Sequence, residues 1–401
     1  MRGDPATARE AMVDHLLTSG VLHSERVEAA LRRVQRHRFL EHWYRLEASR
    51  LQAIWQRVEF DRDHPDPESL ATIYSDRSLV TRVDGYLPTA SSSQPSLVSM
   101  MLEFLEIEPG MRVLEIGTGT GYNAALLAEV VGEPDAVYTI ELQEDVARSA
   151  IQALAGEGYA GVHVCRGDAA AGLVEGAPFA RILATVGCPD LSPRWLEQLA
   201  PGGMMLLPLR HGHVHPLVRI SAEPTRQGHA RGEAIEHSAF MSIQGRMSSA
   251  NLWQSYLLGG LAKRPERVVS LPVSLPALRE DQDPLSDRTY RAFYFFLTLA
   301  SRELWRTNRG FGLADPAGPV TAILTSHGLE AHRLSRSAAD TMRLLDRLSS
   351  LLVMWDDLGR PEPNAYEMAF IPRHELPGLS GRQGREWTIE RTNYWQAVRL
   401  H

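Results

Sequence analysis

The stretch Val113-Leu114-Glu115-Ile116-Gly117-Thr118-Gly119-Thr120-Gly121 constrains the fold of this chain more than any other. A β-rich apolar run passes into alternating glycines and then into a helical window, Tyr122 to Val131. Glycine is needed where a backbone turns tightly at positive φ or where a ligand must touch the main chain. Strand, glycine turn and helix in succession form the first βα unit of an open parallel sheet, which binds ligands at its strand C-termini. Two common uses of such a turn are excluded by spacing. The dinucleotide fingerprint places glycines at positions one, three and six, whereas here they fall at one, three and five and Tyr122 is sixth. No Gly-Lys-Ser/Thr follows, so the phosphate loop of ATPases is absent.

The surrounding sequence extends that unit. The strand candidates are Arg112 to Ile116, Ala136 to Ile140, Val162 to Cys165, Ala180 to Thr185 and Met204 to Leu209, with a second helix over Gln143 to Leu154. Alternating β and α segments predict an α/β fold with a doubly wound parallel sheet. After Leu209 the segments Pro216 to Ala222, Ala230 to Ile235 and Ala239 to Ile243 read as short strands, an added antiparallel edge. Upstream, residues 7 to 60 read as helical, because Val27, Ala30, Leu31 and Val34 recur on one helical face. Downstream, helices over Tyr290 to Trp305 and Ala338 to Trp355 and strands over Val320 to Thr325 and Tyr366 to Ile371 predict a C-terminal α+β domain. The expected division is 1–90 (helical), 91–247 (the sheet domain) and 248–401 (the extension). At 401 residues the chain has room for it, since domains average ~150 residues.

The pattern Glu-x-Gly-x-Gly-x-Gly resembles the first motif of class I S-adenosylmethionine methyltransferases. The resemblance implies S-adenosyl-L-methionine as cofactor, with Glu115, Gly117, Thr118, Gly119 and Gly121 around it. Glu141, followed by Leu142, ends the second strand 24 residues after Gly117, where a carboxylate can accept both ribose hydroxyl protons. Asp168 and Ala169 follow the third strand, and an Asp there can hold the adenine amino group. Thr185 ends the fourth strand.

The composition narrows the acceptor. The formal net charge is −7, with no run of like charges and with Lys263 as the only lysine. Binding to a phosphate backbone needs clustered Lys and Arg, and the arginines here are scattered. The segment after strand four, Ala184-Thr185-Val186-Gly187-Cys188, also lacks the Asn/Asp-Pro-Pro-aromatic motif of enzymes that methylate base amines. A nucleic-acid partner is not expected. No run approaches the ~18 apolar residues of a membrane span, and no apolar signal core follows Met1, so a cytoplasmic protein without a membrane partner is expected. Two cysteines, Cys165 and Cys188, build neither a disulfide framework nor a four-thiolate zinc site. His211-x-His213-x-His215 has the residue type of a metal site but lies in a loop-like segment, and no metal is expected. The aromatic run Phe293-Tyr294-Phe295-Phe296 reads as core of the extension.

The segment Gly85-Tyr86-Leu87-Pro88-Thr89-Ala90-Ser91-Ser92-Ser93-Gln94-Pro95 points to the reaction. It reads as a polar loop in which Ser93 caps a helix begun by Pro95. Leu97, Val98, Met101, Leu102 and Leu105 form that helix's apolar stripe. Serine hydroxyls and free N–H groups near a helix N-terminus also favour an anion. From Ser93-Gln94-Pro95, through the glycine motif and Tyr122-Asn123-Ala124-Ala125, to Gly202-Gly203-Met204-Met205-Leu206-Leu207-Pro208, the chain resembles protein-L-isoaspartate O-methyltransferases. Val34-Gln35-Arg36-His37-Arg38-Phe39-Leu40 and Tyr74-Ser75-Asp76-Arg77 resemble the same family, so the likeness covers about residues 25 to 245. It implies carboxyl methylation of an aspartate-containing peptide or protein, with Ser92, Ser93 and Gln94 as the acceptor-site residues. The family's Thr-Ile-Ser-Gln/Ala-Pro is here Ala90 followed by Ser91-Ser92-Ser93. With the long extension, that departure is similar to the offshoot that methylates aspartate in ribosomally made peptides and generates aspartimide or isoaspartate, which is the expected function; the alternatives are isoaspartyl methylation in protein repair and a non-catalytic cofactor- or peptide-binding module.

Overall fold

The computed structural model describes residues 3–48, 53–248, 266–271, 275, 284–302, 304–306, 310–314, 320–325, 328–333, 338–375 and 385–401. The chain divides into two compact units. The first comprises Met1–Pro208, Arg219–Ala230 and Phe240–Ser249, and the second Leu209–Val218, Arg231–Ala239 and Ala250–His401.

The first unit begins with helices α1 (Pro5–Thr18) and α2 (Glu25–Arg33), capped by Asp4 and Ser24. The predicted stripe is the buried face of α2: Val27, Ala30 and Leu31 are buried, as is Val34 just beyond it. Past Phe39 the helical expectation is wrong. Strands β1 (His42–Ala48) and β2 (Ala53–Glu59) follow and pair antiparallel, with Trp43 opposite Val58 and Leu46 opposite Trp55. The i, i+3, i+4 stripe stops at Val34, and the aromatic and β-branched residues beyond it favour a pleated strand with cross-strand pairs.

Helix α3 (Pro67–Ile73) is capped by Asp66. Strands β3 (Leu79–Asp84) and β4 (Leu87–Ser92) join the first two in the order β2-β1-β3-β4. The serine segment is thus a strand rather than a polar loop. Ser92 lies opposite Leu79 and Ser91 opposite Val80, and the hairpin turns at Gly85 with φ of +60°. A polar stretch becomes a strand here because a neighbouring strand takes up its backbone groups.

Helix α4 (Pro95–Phe104) then leads into the parallel sheet. Its strands are β5 (Val113–Ile116), β6 (Val137–Glu141), β7 (His163–Arg166), β8 (Phe179–Ala184) and β9 (Leu199–Pro208), with α5 (Tyr122–Val131), α6 (Glu144–Gly156) and α7 (Pro193–Glu197) between them. Adjacent pairs β5–β6, β5–β8, β6–β7 and β8–β9 are parallel. The order β9-β8-β5-β6-β7 makes β5 the strand where the winding reverses, and the crevice at its C-terminal end is where such sheets bind ligands. All four residues of β5 are buried, as a strand covered on both faces requires.

Strands β10 (His215–Ala222) and β11 (Ala230–Ser238) follow. The third expected strand, Ala239 to Ile243, is not one. It makes an isolated bridge between Ser242 and Gly187, in which Gly187 N donates to the Met241 carbonyl at 2.7 Å and Ile243 N to the Gly187 carbonyl at 3.0 Å.

The second unit carries β12 (Glu266–Leu271), α8 (Arg288–Ala300), β13 (Leu304–Arg306), β14 (Gly310–Ala314), β15 (Val320–Thr325), β16 (Gly328–Arg333) and α9 (Ala338–Asp357). Three more strands, β17 (Tyr366–Pro372), β18 (Glu386–Glu390) and β19 (Tyr394–Leu400), complete it. One antiparallel sheet has the order β12-β16-β15-β14-β13, and β19 pairs antiparallel with both β17 and β18. Helix α8 is shorter than the predicted Tyr290 to Trp305, because Trp305 pairs as a strand with Gly312. The aromatic run is core: Phe293, Tyr294 and Phe296 cluster with Phe311, Leu348 and Trp355. Burying each such side chain contributes about 1.5–3 kcal/mol.

Candidate cofactor and acceptor site

The glycine turn at the end of β5 is a cradle that side chains cannot occupy. Gly117, Gly119 and Gly121 have φ of +97°, +54° and +83°, a region that L-residues with a Cβ avoid. Space is tight as well. A Cβ on Gly117 would meet Thr185 Oγ1 and Val186 Cγ1, each at 2.9 Å, and one on Gly121 would meet Leu154 Cγ at 3.2 Å.

Glu141 closes the cradle from the end of β6. The residue is 7% exposed, and its carboxylate accepts from Gly119 N at 3.1 Å and Gln143 N at 3.0 Å. Burial raises its pKa against those two hydrogen bonds. Leu142, next to it, is exposed. An acid held at a strand end against the glycine backbone suits ribose hydroxyls, and the glycines leave the main chain bare. These residues fit an adenosyl cofactor.

Other predicted cofactor residues lie beneath this surface. Glu115 is fully buried and accepts from Asn123 Nδ2 at 2.7 Å and Thr139 Oγ1 at 2.8 Å. Thr139 Oγ1 also lies 2.7 Å from Thr118 Oγ1. Burial pushes the Glu115 carboxyl up to about 7. Thr185 Oγ1 donates to the carbonyls of Gly117 at 2.6 Å and Ile116 at 3.1 Å, so its hydroxyl braces the turn. Asp168, after β7, accepts from Ala170 N at 2.9 Å, Arg246 N at 2.8 Å and Arg246 Nε at 3.2 Å. A carboxylate has about four acceptor positions, which leaves Asp168 capacity for an adenine amino group. Ala169 beside it is buried.

The serine segment lies against the cradle. A Cβ on Gly119 would sit 3.2 Å from the Ser91 carbonyl oxygen. Gln143 Nε2 donates to the Thr89 carbonyl at 3.0 Å, and Arg82 joins Thr89 Oγ1 to Asp145, each at 2.9 Å. Together these hold β4 over the start of α6. Ser92 is buried, and its Oγ accepts from Arg36 Nε at 3.3 Å. Gln94, not Ser93, is the N-cap of α4, and it makes no side-chain cap hydrogen bond. Instead Asp76 serves that end, accepting from Ser96 N at 2.8 Å and from Gln94 Nε2 at 2.9 Å. Ser93 Oγ has no hydrogen-bond partner among the described residues.

Sequence reasoning placed Glu141, the glycines and the serines together, and they meet in the first unit. It assigned no role to Arg36, Asp76, Gln143 or Arg246. The signal for the first two was the pair of segments around Val34–Phe39 and Tyr74–Arg77; nothing local marks the others.

The histidine triplet belongs to the second unit. His211 is buried, packs on the Phe295 ring with centroids 4.9 Å apart, and has its Nε2 3.0 Å from Arg391 Nη2. Among the described residues no group of three or more His, Cys, Asp or Glu is placed to hold a metal.

Residues 7–248 match the family model described as Protein-L-isoaspartate(D-aspartate) O-methyltransferase (PCMT). The chain belongs to that family. Its members include a protein-L-isoaspartate O-methyltransferase of Pyrobaculum islandicum, 33% identical over 233 residues, which covers 58% of this chain and 94% of the relative. Another, from Anaeromyxobacter dehalogenans, is 44% identical over 151 residues, 37% of this chain and 68% of the relative. A solved protein-L-isoaspartate O-methyltransferase shares the fold, with a TM-score of 0.51 over 90% of this chain and 96% of that one, at 23% identity. As a family member the chain is a carboxyl methyltransferase, and S-adenosyl-L-methionine is its cofactor. Among the described residues no helix is long and apolar enough to cross a membrane.

Proposed function

We propose that this chain methylates the side-chain carboxylate of an isoaspartyl or aspartyl residue in a peptide or protein. The observation that carries this reading is the approach of Ser91 to Gly119, which sets the serine segment beside the cofactor cradle. Gly117, Gly119, Gly121, Glu141, Leu142, Asp168 and Ala169 would hold S-adenosyl-L-methionine, which when bound supplies an electrophilic methyl group on a sulfonium. Ser93 Oγ and the backbone N–H groups at its side orient the acceptor carboxylate. A carboxylate with a reference pKa near ~3.9 is already ionised at neutral pH. The protein therefore needs no general base, and its task is to position the acceptor and exclude water.

Family membership favours an isoaspartyl acceptor, the one in the relatives' names. A second reading is an L-aspartate in a ribosomally made peptide, favoured by Ser91-Ser92-Ser93 and by residues 249–401, which lie beyond the family match. In that reading the ester goes on to aspartimide. The next residue's backbone nitrogen attacks the ester carbonyl, and its proton leaves with methoxide as methanol. The extension weighs little in this choice, because the solved structure of an isoaspartate-named enzyme covers most of the chain. Under either reading residues 248–401 are the proposed substrate-recognition region, acting within the cytoplasm.

Two peptides that differ only in an isoaspartyl or aspartyl linkage test this directly. Esterification of the isoaspartyl peptide supports the first reading. Esterification of the aspartyl peptide with loss of methanol supports the second. Failure to esterify either, or any other isoaspartyl or aspartyl peptide offered, sinks both.

A further inference from the structure

Arg36 is wholly buried in the turn Arg36–Phe39. Nη1 donates to the carbonyls of Ile73 at 2.6 Å and Ser75 at 3.3 Å. Nη2 donates to those of Arg77 at 2.9 Å, Ser92 at 3.3 Å and Ser93 at 2.9 Å, and Nε to Ser92 Oγ at 3.3 Å. Every one of these acceptors is neutral. Arg38, two residues on, is instead paired with Glu157 and Asp63. Burial lowers the Arg36 pKa to about 10, opposed by the charge of Asp76, so Arg36 is still a cation at neutral pH.

A trans peptide plane carries its C=O and N–H in opposite directions. Because the Ser92 and Ser93 carbonyls point at Arg36, the N–H groups in the same two planes, those of Ser93 and Gln94, point away from it. Neither N–H has a hydrogen-bond partner among the described residues. A cation at the carbonyl end also polarises both peptides and strengthens their N–H donors.

We propose that Arg36 is the positioning residue of the acceptor site: it turns the Ser93 and Gln94 N–H groups outward as a paired cradle for the acceptor carboxylate. This rests on the carboxyl-methyltransfer reading. The carboxylate loses its charge as the ester forms, so the cradle grips the ground state more than the transition state. Arg36 therefore governs acceptor KM more than kcat.

Arg36→Lys tests it, because a lysine keeps the charge but lacks the planar fork that reaches several carbonyls. With whichever unmodified peptide of the pair above the wild type esterifies, acceptor KM should rise about tenfold or more, the loss for one misplaced hydrogen bond to a charged group. kcat should stay within a few-fold, and the affinity for S-adenosylhomocysteine should not change. The wild-type protein provides a readout that does not depend on the variant's folding. In its S-adenosylhomocysteine complex, the amide signals of Ser93 and Gln94 should move downfield as peptide is added. If those two signals stay fixed while others move, or if Arg36→Lys has wild-type KM, the proposal is overturned. If the wild type esterifies no peptide, the functional reading has failed instead.

Discussion

The backbone of Ser91 crowds Gly119: an added Cβ would lie 3.2 Å from the Ser91 carbonyl oxygen, so that main chain would have to give way. The cofactor turn and the acceptor strand therefore share one packing contact, and disturbing it should affect both ligands. Gly119→Ala should weaken S-adenosylhomocysteine binding by about tenfold or more and raise acceptor KM. Gly132→Ala is the control. Its φ is +80°, but nothing lies within 4 Å of the added Cβ, so it should cost only the ~1–2 kcal/mol of left-handed strain. Calorimetric titration and thermal melts of the two variants would separate contact from strain.

Glu141→Ala removes both the proposed ribose acceptor and the partner of Gly119 N. Hydrogen bonds to a charged group are each worth ~1.5–3 kcal/mol, so S-adenosylhomocysteine affinity should fall by roughly ten- to a hundredfold. Unchanged affinity in the same titration would remove Glu141 from the site.

Glu115 makes stability depend on pH. Its folded pKa, about 7, is raised from 4.5, so between those values the unfolded chain has released a proton that the native state keeps. Stability is then greatest below about pH 4.5 for this group and falls as pH rises towards 7, by up to ~3 kcal/mol. Glu115→Gln should abolish that decline and melt higher than the wild type at pH 8, as paired melts at pH 5 and pH 8 would show. An unaltered slope would mean that Glu115 ionises normally.

Ser93→Ala distinguishes a cap from an acceptor contact. A lost N-cap costs about 1 kcal/mol, but Gln94 holds that position. The melting temperature should therefore stay near the wild type while kcat/KM for the acceptor peptide drops. A destabilised variant with full turnover would reverse the assignment.

Much of this site is legible along the chain, because a glycine turn after an apolar strand has few conformational solutions, and Glu141 follows at the end of the next strand. Arg36 lies in a segment whose family likeness the sequence shows, but its role is legible only in three dimensions. Its partners are main-chain carbonyls of residues 73, 75, 77, 92 and 93, and a carbonyl carries no sequence signature. The strands His42–Ala48 and Ala53–Glu59 are hidden behind the helical stripe upstream, whose last member is Val34. The second unit escapes a linear reading for another reason. It takes in Leu209–Val218 and Arg231–Ala239 as well as the C-terminal segment, and Val214 packs in the cluster of Phe293 and Trp355. Deleting residues 250–401 would strip that cluster from Val214, so the deletion would test folding before it tested recognition.

In the proposed reaction a carboxylate oxygen receives the methyl group. Incubating the protein with methyl-labelled S-adenosyl-L-methionine and the isoaspartyl and aspartyl peptides, then treating the products with mild base, tests it most directly. One S-adenosylhomocysteine should form per label transferred, and mild base should release that label as volatile methanol. Label that resists base, or no transfer to either peptide, would contradict it.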